Sequence, residues 1–468
     1  MQKIRLMVMA IAGLMIAGSA YAQDSTHYFT LQQALEYGQK HNVQAKNALL
    51  DIQLQQQVNR EVTGSAYPQI SANGSATYNP NVAVQRFPNF FAPAIIGVLQ
   101  QLDVRDGNGK PIGNPANADY GFIDAQFGTK WNSNAGVSLS QILFDGQVFT
   151  GLQARKTLID YKVKASEVTA EQIRYNIAKV YYQLIVSKTQ IDLIDSNIAL
   201  VSKNRNDTKI MYDNGFAEKL DIDKLDVQLA NLRSQKIQIL NNVNNGYLGL
   251  KVLMGMPISE QLVLADSLTD DNIKEGILDA MNADYLERKD YQAAVLGAKL
   301  NEYDMQRYKY SKIPTLSLSG NYTKMAMENS LGKMINSQWF TASSIALNLH
   351  VPIFTGFATN AKIEQAKLKL RQTQNQIEAL KINIDNEREA AKNTFKSAIT
   401  DMDYQKQNMK LAENVYQQTK KKYEMGTGSQ IEIDNARVQL QSAQTNYYNA
   451  LYNAVVAKVD FLKAIGKF

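Results

Sequence analysis

The chain has 468 residues, 45% of them hydrophobic and 20% charged, with a formal net charge of +6. That length is long for one compact domain, and so small a charge excess does not indicate nucleic-acid binding. The sequence contains no cysteine and only three distant histidines, which excludes a disulfide framework and a cysteine–histidine metal site.

The first 22 residues have the pattern of a cleavable signal peptide. Lys3 and Arg5 form a basic start, residues 6–17 are mainly apolar, and Ala20-Tyr21-Ala22 fits a small-residue cleavage site. Cleavage would start the mature chain near Gln23 and lower the formal charge from +6 to +4. An uncleaved anchor helix is the alternative, which the short apolar run disfavours.

The rest of the chain repeats itself. Tyr67-Pro68-Gln69-Ile70-Ser71 recurs 246 positions later as Ile313-Pro314-Thr315-Leu316-Ser317, and the Tyr212 and Gly215 pair recurs 211 positions later. The smaller second offset means that the first copy carries roughly 35 extra residues. We therefore predict three regions after the signal peptide: a first repeat at 23–257, a connecting segment at 258–284 and a second repeat at 285–468.

Each repeat contains two segments in which apolar and polar residues alternate. These segments lie at 69–79 and 134–143 in the first repeat, and at 315–323 and 345–353 in the second. Such alternation is typical of strands with one apolar and one polar face. The region between the first two, about 80–130, is rich in proline, glycine and asparagine and is predicted to be a long loop.

Two structures fit these strands. Segments of about 9–11 residues match tilted strands that cross a bilayer, and serine, threonine and asparagine on the polar faces suit a water-filled lumen. A soluble hairpin packed on a core is the alternative, although two separated strand pairs are too few for a sandwich. Because four strands cannot close a membrane barrel, spanning strands would require an oligomer.

A long helical pattern follows each strand pair. Apolar residues keep three- and four-residue spacing from Ile173 to Val201, from Ile222 to Val243, and from Ile433 to Ala464. This spacing is typical of a coiled-coil seam. The proline-free window from about 150 to 212 predicts one continuous helix ~90 Å long, far longer than a globular domain requires.

Short glycine-containing breaks at 213–220 and 424–430 predict hairpin tips, at the opposite end of a rod from the strands. The duplication, the paired tips, the Tyr-Pro and Ile-Pro strand starts and the strand ends Leu143-Phe144-Asp145-Gly146 and Ile353-Phe354-Thr355-Gly356 together resemble the outer-membrane efflux protein family, the TolC-like channels. The resemblance covers the chain from about 28 to 468.

This resemblance implies a mainly α fold with membrane β-strands. Three chains would pool four strands each into a twelve-stranded barrel, and their coiled-coil helices would form an α-helical barrel across the periplasm. The homotrimer would contact outer-membrane lipid and dock to a periplasmic adaptor and an inner-membrane transporter of RND, ABC or MFS type. It would be a passive duct for drugs, metals or other toxic compounds, with type I protein secretion as the alternative.

The resemblance also implies functional positions at the tips. Glu432 and Asn435 match carboxylate positions that narrow the periplasmic entrance, and Asp221 shares the tip position; carboxylates in a narrow pore attract cations. Glu432 could instead be a solvated helix-start residue favoured by the helix dipole. Tyr423 and Asp221 match a gate clasp, for which simple tip packing is the alternative. A second family clasp is absent, because Gly428 stands in place of an arginine.

Further positions are expected to contact partners. Gly215 and Gly426, with Leu220 and Ile431, match tip positions that adaptors touch, although the glycines could serve only the turn. Trp131 and Trp339 each precede the second strand of a pair, where an interfacial aromatic girdle would lie. The apolar run at 90–99 would plug the barrel mouth or pack across neighbours.

No enzyme is predicted, because the sequence lacks a nucleophile elbow, a phosphate-binding glycine loop and a metal constellation. No cofactor is expected. A periplasmic adaptor or a structural coiled coil is the main rival class, since both have long helical hairpins. Those proteins lack four alternating strands of membrane length.

Overall fold

The computed structural model describes residues 26–113, 118–267, 273 and 285–468. The signal peptide predicted at 1–22 lies outside the described residues, as does much of the connecting segment predicted at 258–284. Across the described ranges, no helix is both long enough and apolar enough to cross a membrane.

Helices dominate the described chain. They are α1 (Leu31–His41), α2 (Val43–Gly64), α3 (Phe91–Gln101), α4 (Gly146–Asp213), α5 (Lys219–Met254), α6 (Lys289–Tyr310), α7 (Leu331–Met334), α8 (Ala358–Glu424) and α9 (Gln430–Ala464), with a short 3-10 turn at Tyr285–Glu287. The long helices expected from the proline-free windows are confirmed, since α4 has 68 residues and α8 has 67. Each is about 100 Å long at ~1.5 Å per residue.

The strands are β1 (Thr26–Phe29), β2 (Gln69–Tyr78), β3 (Val84–Pro88), β4 (Phe122–Gln126), β5 (Trp131–Phe144), β6 (Gln261–Leu264), β7 (Thr315–Glu328) and β8 (Phe340–His350). All four alternating segments are therefore strands. The last ends at His350 rather than at 353, because Pro352 has no N–H to donate to a ladder. The loop predicted at 80–130 has structure of its own, the hairpin β3–β4 and helix α3.

The chain forms two compact units, each drawn from both halves of the sequence. The strand unit comprises Asn59–Gln153 and Gln306–Ile363. The helical unit takes the described residues within Met1–Val58, Ala154–Met305 and Glu364–Phe468. These units do not coincide with the sequence repeats that we predict to end at 257 and to begin again at 285. The division into repeats therefore stays a prediction.

The strand unit is built on one antiparallel sheet in the order β2-β5-β7-β8. Its central pair joins the two halves of the chain, with Ser140 of β5 opposite Ser319 of β7. Strands β2 and β8 form the two edges, and every residue along both is exposed. Each edge therefore presents unpaired backbone groups along its length.

The register of this sheet sorts its side chains by polarity. Opposed residues lie on the same face of a sheet, and Leu139 lies opposite Ile70 on one side and Gly320 on the other. Gly320 in turn lies opposite Ile345. The same pairing gives one mainly apolar face, with Ile70, Ala72, Ala76, Tyr78, Ala135, Val137, Leu139, Leu316, Leu318, Tyr322, Ile345, Leu347 and Leu349. The same face also carries Ser133, Gln141, Lys324, Glu328, Thr341 and Ser343.

The other face is mainly polar and internally hydrogen-bonded, although Ile142, Met325, Met327 and Phe340 also lie on it. Ser71 Oγ lies 2.7 Å from Ser138 Oγ, and Asn134 Nδ2 donates to Ser75 Oγ at 2.8 Å. Across the β7–β8 pair, Asn348 Nδ2 donates to Ser319 Oγ at 2.9 Å. The two-faced pattern read from the single strands thus continues across all four.

A β-bulge near the end of β5 changes which residues share a face. The pairing steps from Ile142 opposite Ser317 to Phe144 opposite Leu316. Leu143 is therefore the extra residue, and Phe144 takes the place on the apolar face that strict alternation predicts for Leu143.

Coiled-coil seams form the core of the helical unit. All ten residues predicted for the second-repeat seam are buried: Ile433, Ala436, Leu440, Ala443, Tyr447, Ala450, Ala454, Ala457, Phe461 and Ala464. Ile177 and Val201 of α4 and Leu225 of α5 are also buried. Because alanine side chains are small, they let the backbone of α9 approach the neighbouring helices closely.

Buried polar side chains hold the ends of α5 and α9 in place. Asn42 Nδ2 donates to the carbonyl oxygen of Leu253 at 2.7 Å. At the equivalent positions, Arg288 Nη1 donates to the carbonyl oxygen of Ala464 at 3.1 Å, and Arg288 Nη2 lies 2.6 Å from Asp290 Oδ2. Both anchors satisfy carbonyls in the last turn of a helix, which lack partners within the helix.

Candidate functional site

Both hairpin tips close with the same backbone motif. The N–H of Gly215 donates to the Tyr212 carbonyl at 2.9 Å, and the next N–H, of Phe216, donates to the Met211 carbonyl at 2.8 Å. Gly426 repeats the first bond at 2.9 Å. This is a Schellman motif, and the φ angles of +78° and +72° explain both glycines. A Cβ at either position would meet nothing within 4 Å, so φ rather than space requires glycine there.

Asp221 takes part in capping the helix after the first tip. Its Oδ2 accepts the N–H of Glu218 at 3.4 Å, as one half of a capping box. Its Oδ1 accepts from Lys224 Nζ at 3.3 Å. Asp221 is half-buried, and both carboxylate oxygens are already engaged. The structure therefore gives this predicted pore residue a local structural role.

Glu432 lies at the equivalent position of the second tip but is engaged differently. Its backbone N–H donates to Ser429 Oγ at 3.3 Å, so Ser429 caps α9 through its own hydroxyl. In the described part of the chain, no hydrogen bond or ion pair holds the Glu432 carboxylate. Glu432 and Asn435 are both exposed and lie one turn apart on α9, beside the buried residues Ile433 and Ala436. Of the predicted entrance residues, these two are free to line an opening.

Tyr423 stands where the two tips approach each other. Its hydroxyl lies 4.0 Å from Met211 Sδ, at the end of the first hairpin. Burial raises the pKa of Tyr423, and the negative charges of Asp221 and Asp434 raise it further. The structure thus brings Tyr423 and Asp221 within electrostatic range, while the recorded contact of the hydroxyl is with sulfur. Gly428 packs against the backbone of Tyr423. A Cβ atom at position 428 would lie only 3.0 Å from the Tyr423 backbone nitrogen, so there is little room for a side chain there.

Exposed apolar residues crowd both tips. Phe216 is 80% exposed and Met425 is 70% exposed, and the predicted partner positions Leu220 and Ile431 are also exposed. Sequence reasoning missed Phe216 and Met425, although an apolar residue beside a turn glycine was a usable signal. Apolar surface of this kind, adjoining polar helix faces, is typical of protein-binding sites.

The two hairpins differ just behind their tips. In the first, Arg205 donates to Asp226 through two bonds of 3.0 and 3.2 Å, which join α4 to α5. The equivalent positions in the second are Tyr416 and Arg437, both buried. Arg437 pairs instead with Asp434 on its own helix. Within the described residues, an ion pair therefore joins the two helices behind the tip in the first hairpin but not in the second.

Aromatic side chains gather at both ends of the four-stranded sheet. At one end Tyr78 and Trp131 are directly opposed with ring centroids 4.7 Å apart, and Trp339 precedes β8. At the other end Phe354 and Phe357 form an edge-to-face pair at 5.4 Å. Sequence reasoning named the two tryptophans and missed this phenylalanine pair.

Phe357 has a backbone conformation that a bulky residue rarely adopts. Its φ is +63°, and its side chain is 71% exposed. Such a conformation costs energy and marks positions under functional constraint. Packing within the strand unit leaves most of the ring exposed, and its ring contact is with Phe354.

Comparisons with known proteins agree on one family. The model of the outer membrane efflux protein family matches residues 285–467. The outer membrane protein TolC of Vibrio cholerae is 21% identical over 343 residues, covering 71% of this chain and 76% of the relative. TolC of Escherichia coli is 19% identical, covering 75% and 73%.

Solved structures share the fold. The CusC structure superposes with a TM-score of 0.73 at 15% identity, covering 95% of both chains. The CmeC outer membrane channel of Campylobacter jejuni gives a TM-score of 0.70 at 17% identity, covering 94% of this chain and 86% of that one. The chain therefore has the TolC-like fold, its residues 285–467 match the outer membrane efflux protein family, and its location is the outer membrane.

Proposed function

We propose that three copies of this chain form a passive channel through the outer membrane, the exit duct of a tripartite export system. The observation that carries the proposal is the register of the β2-β5-β7-β8 sheet. It collects apolar side chains on one face and hydrogen-bonded serine and asparagine on the other. A sheet with these two faces suits lipid on the outside and water on the inside.

The open edges of the sheet support assembly. Backbone groups within a bilayer must all be paired, so β2 and β8 need partners. A second copy can supply them by placing its β8 beside β2. Two copies would give eight strands, a barrel that side chains fill. Three copies give twelve, and this wider barrel leaves room for an aqueous duct.

The aromatic residues at the two ends of the sheet fit the two bilayer interfaces. Aromatic girdles flank the apolar band of membrane barrels. Trp131 and Trp339 would lie at one interface, and Phe354 and Phe357 at the other. The cost of the positive φ at Phe357 is then offset by anchoring its ring among outer-membrane lipids.

The tips would form the periplasmic entrance. Glu432 from each copy, with Asn435 one helical turn away, would ring the opening, and such a ring favours cations. Tyr423 and Asp221 would help to hold the closed arrangement. The exposed residues Phe216, Leu220, Met425 and Ile431, placed by Gly215 and Gly426, would receive the periplasmic adaptor, which in turn connects to an inner-membrane transporter of RND, ABC or MFS type.

The cargo of such a duct is set by the inner-membrane pump. We propose small toxic compounds, drugs or metals. Secreted protein is the second candidate, because type I secretion uses the same architecture. Crosslinking the channel in cells to its pump, followed by identification of that pump, separates the two.

The entrance is tested by recording single channels in planar bilayers. Glu432→Gln should lower the preference for cations, because it removes one negative charge per copy from the opening. Glu424→Gln is the matched control, since Glu424 is an exposed carboxylate near the same tip that lies 3.8 Å from Lys420 Nζ. Unchanged ion selectivity in Glu432→Gln would reject the role of the ring. A protein that purifies as a monomer without detergent would reject the channel itself.

A further inference from the structure

Helix α3 in the β2–β5 connection is mostly apolar, with Gln100 and Gln101 as its polar residues. Residues 89–102 include no charged side chain. Four large apolar residues form one stripe along the helix, and each is more than half exposed: Phe91, Ile95, Val98 and Leu102. Their spacing of three and four positions places them on a single face. Ile96 and Leu99, which flank this stripe, are half-buried.

Local hydrogen bonds order the connection that carries the helix. Asn89 Oδ1 accepts the N–H of Ala92 at 3.0 Å, which satisfies a donor of the first turn. Arg86 forms two bonds to Asp124, of 2.6 and 2.9 Å, across the β3–β4 hairpin of the same connection. An exposed apolar stripe on a helix without charged residues is normally covered by another surface.

We propose that the stripes of the three copies pack against one another around the symmetry axis and form an apolar cap over the external mouth of the channel. This inference rests on the proposed trimeric channel. Helix α3 follows the edge strand β2 in the chain, and in the assembled barrel a neighbouring copy lies directly beside that strand. The connection that carries the stripe is thus attached at the boundary between copies.

Lipid is the less suitable occupant. Interfacial helices hold anionic headgroups with lysine and arginine on a polar face, whereas residues 89–102 have no charge. At 11 residues, α3 is also too short to enter the bilayer as a span. If the stripe packs against the stripes of two other copies, the helix needs neither charged residues for lipid headgroups nor the length to span a bilayer.

Cysteine crosslinking tests the cap, because the native chain contains no cysteine. Ile95→Cys is introduced into the full-length protein, and outer membranes are oxidised and analysed on non-reducing gels. We expect disulfide-linked pairs of subunits. Because three equivalent cysteines meet at one axis and one disulfide uses two of them, at most two of every three subunits should be linked. Asn108→Cys, an exposed turn residue of the same connection, is the control and should give no linked pairs.

A second measurement covers variants that assemble poorly. Phe91→Ser combined with Ile95→Ser should raise single-channel conductance and admit larger solutes from outside, because the cap loses its apolar contacts. Trimers that show neither linked Ile95→Cys subunits nor higher conductance in the serine variant would overturn the cap and leave the channel standing. A native protein that forms no trimer would overturn the channel proposal, and the cap with it.

Discussion

Tyr181 is the residue on which several parts of the helical unit depend. It is fully buried in α4, and its hydroxyl lies 2.9 Å from both the carbonyl oxygen of Phe29 and Oδ2 of Asp266. The same Asp266 oxygen accepts the N–H of Leu31 at 2.7 Å. One phenol thus connects a long helix, strand β1 and the start of α1.

We expect Tyr181→Phe to destabilise the folded protein by about 1.5–3 kcal/mol, because the half-buried Asp266 carboxylate loses a hydrogen bond. Thermal unfolding followed by circular dichroism in detergent measures the loss. Tyr182→Phe, which removes a hydroxyl from the neighbouring residue, is the control and should cost less. Equal losses in the two variants would contradict the role of the Asp266 contact.

The effect of Tyr181 should also depend on pH. Burial, followed by the hydrogen bond and charge of Asp266, raises the pKa of Tyr181 above its ordinary value. A group whose pKa is raised on folding contributes its full stability below its unfolded pKa, about 10 for tyrosine. That contribution is lost as the pH rises through the folded value. The stability difference between wild type and Tyr181→Phe should therefore shrink only at strongly alkaline pH.

Glycine defines where the long helices stop. The tips at Gly215 and Gly426 have open space around them, so the positive φ alone explains the residue type. Gly249 offers a contrast, since it lies inside α5 and a Cβ there also meets nothing within 4 Å. All three positions have room for a side chain, but only the two tip glycines have a positive φ. Comparing them therefore distinguishes the effect of backbone conformation from that of packing.

We expect Gly215→Ala or Gly426→Ala to destabilise its hairpin by about 1–2 kcal/mol, because an L side chain is strained at positive φ. Gly249→Ala should instead stabilise the protein by up to about 1 kcal/mol, since alanine favours helix. Midpoints of thermal unfolding compare the three variants. The same sign of change in all three would show that the φ argument is wrong.

At the level of single elements, the local sequence pattern was sufficient to predict most of the helices and strands. The seam of α9 was predictable in full because helical periodicity repeats over ten buried positions. Helix α3 was not, because Pro93 and Gly97 lie within its short apolar run and indicate a loop. The bulge at Leu143 was also missed, since it appears only when β5 is aligned with β7.

The site was predictable to a similar extent. Both tips and their glycines follow from the sequence, because turn chemistry is local. The distinction between Asp221 and Glu432 does not follow, since it depends on whether Glu218 or Ser429 caps the helix and on the position of Lys224. The exposure of Phe216 and Met425 required coordinates as well.

At the scale of the whole molecule, the strand order of the sheet pairs the two sequence repeats with each other. Each half contains one strand pair, yet the central ladder of the sheet runs between halves, from β5 to β7. No periodicity in the sequence indicates which strands of two similar pairs will meet. Even so, residues 285–467 alone are enough for a match to the family model.

We expect neither half to fold alone. A chain that ends at 284 retains β2 and β5 but loses the partner of β5, and an isolated two-stranded hairpin is marginal in water. Such a fragment, exported to the periplasm, should be degraded, whereas co-export of 285–468 behind its own signal peptide should restore some folded protein. Protease resistance and heat-modifiable migration on gels measure this. A stable, protease-resistant fragment ending at 284 would refute the dependence.

The β5–β7 ladder also governs the order of events during biogenesis. A chain exported from its N-terminus delivers β2 and β5 to the periplasm long before β7 emerges. In the proposed channel, strands that will face lipid stand in water without a partner during that interval, which is the condition that favours aggregation. We therefore expect a holding chaperone to bind the first half until the second arrives, for a time set by the stretch of chain between β5 and β7.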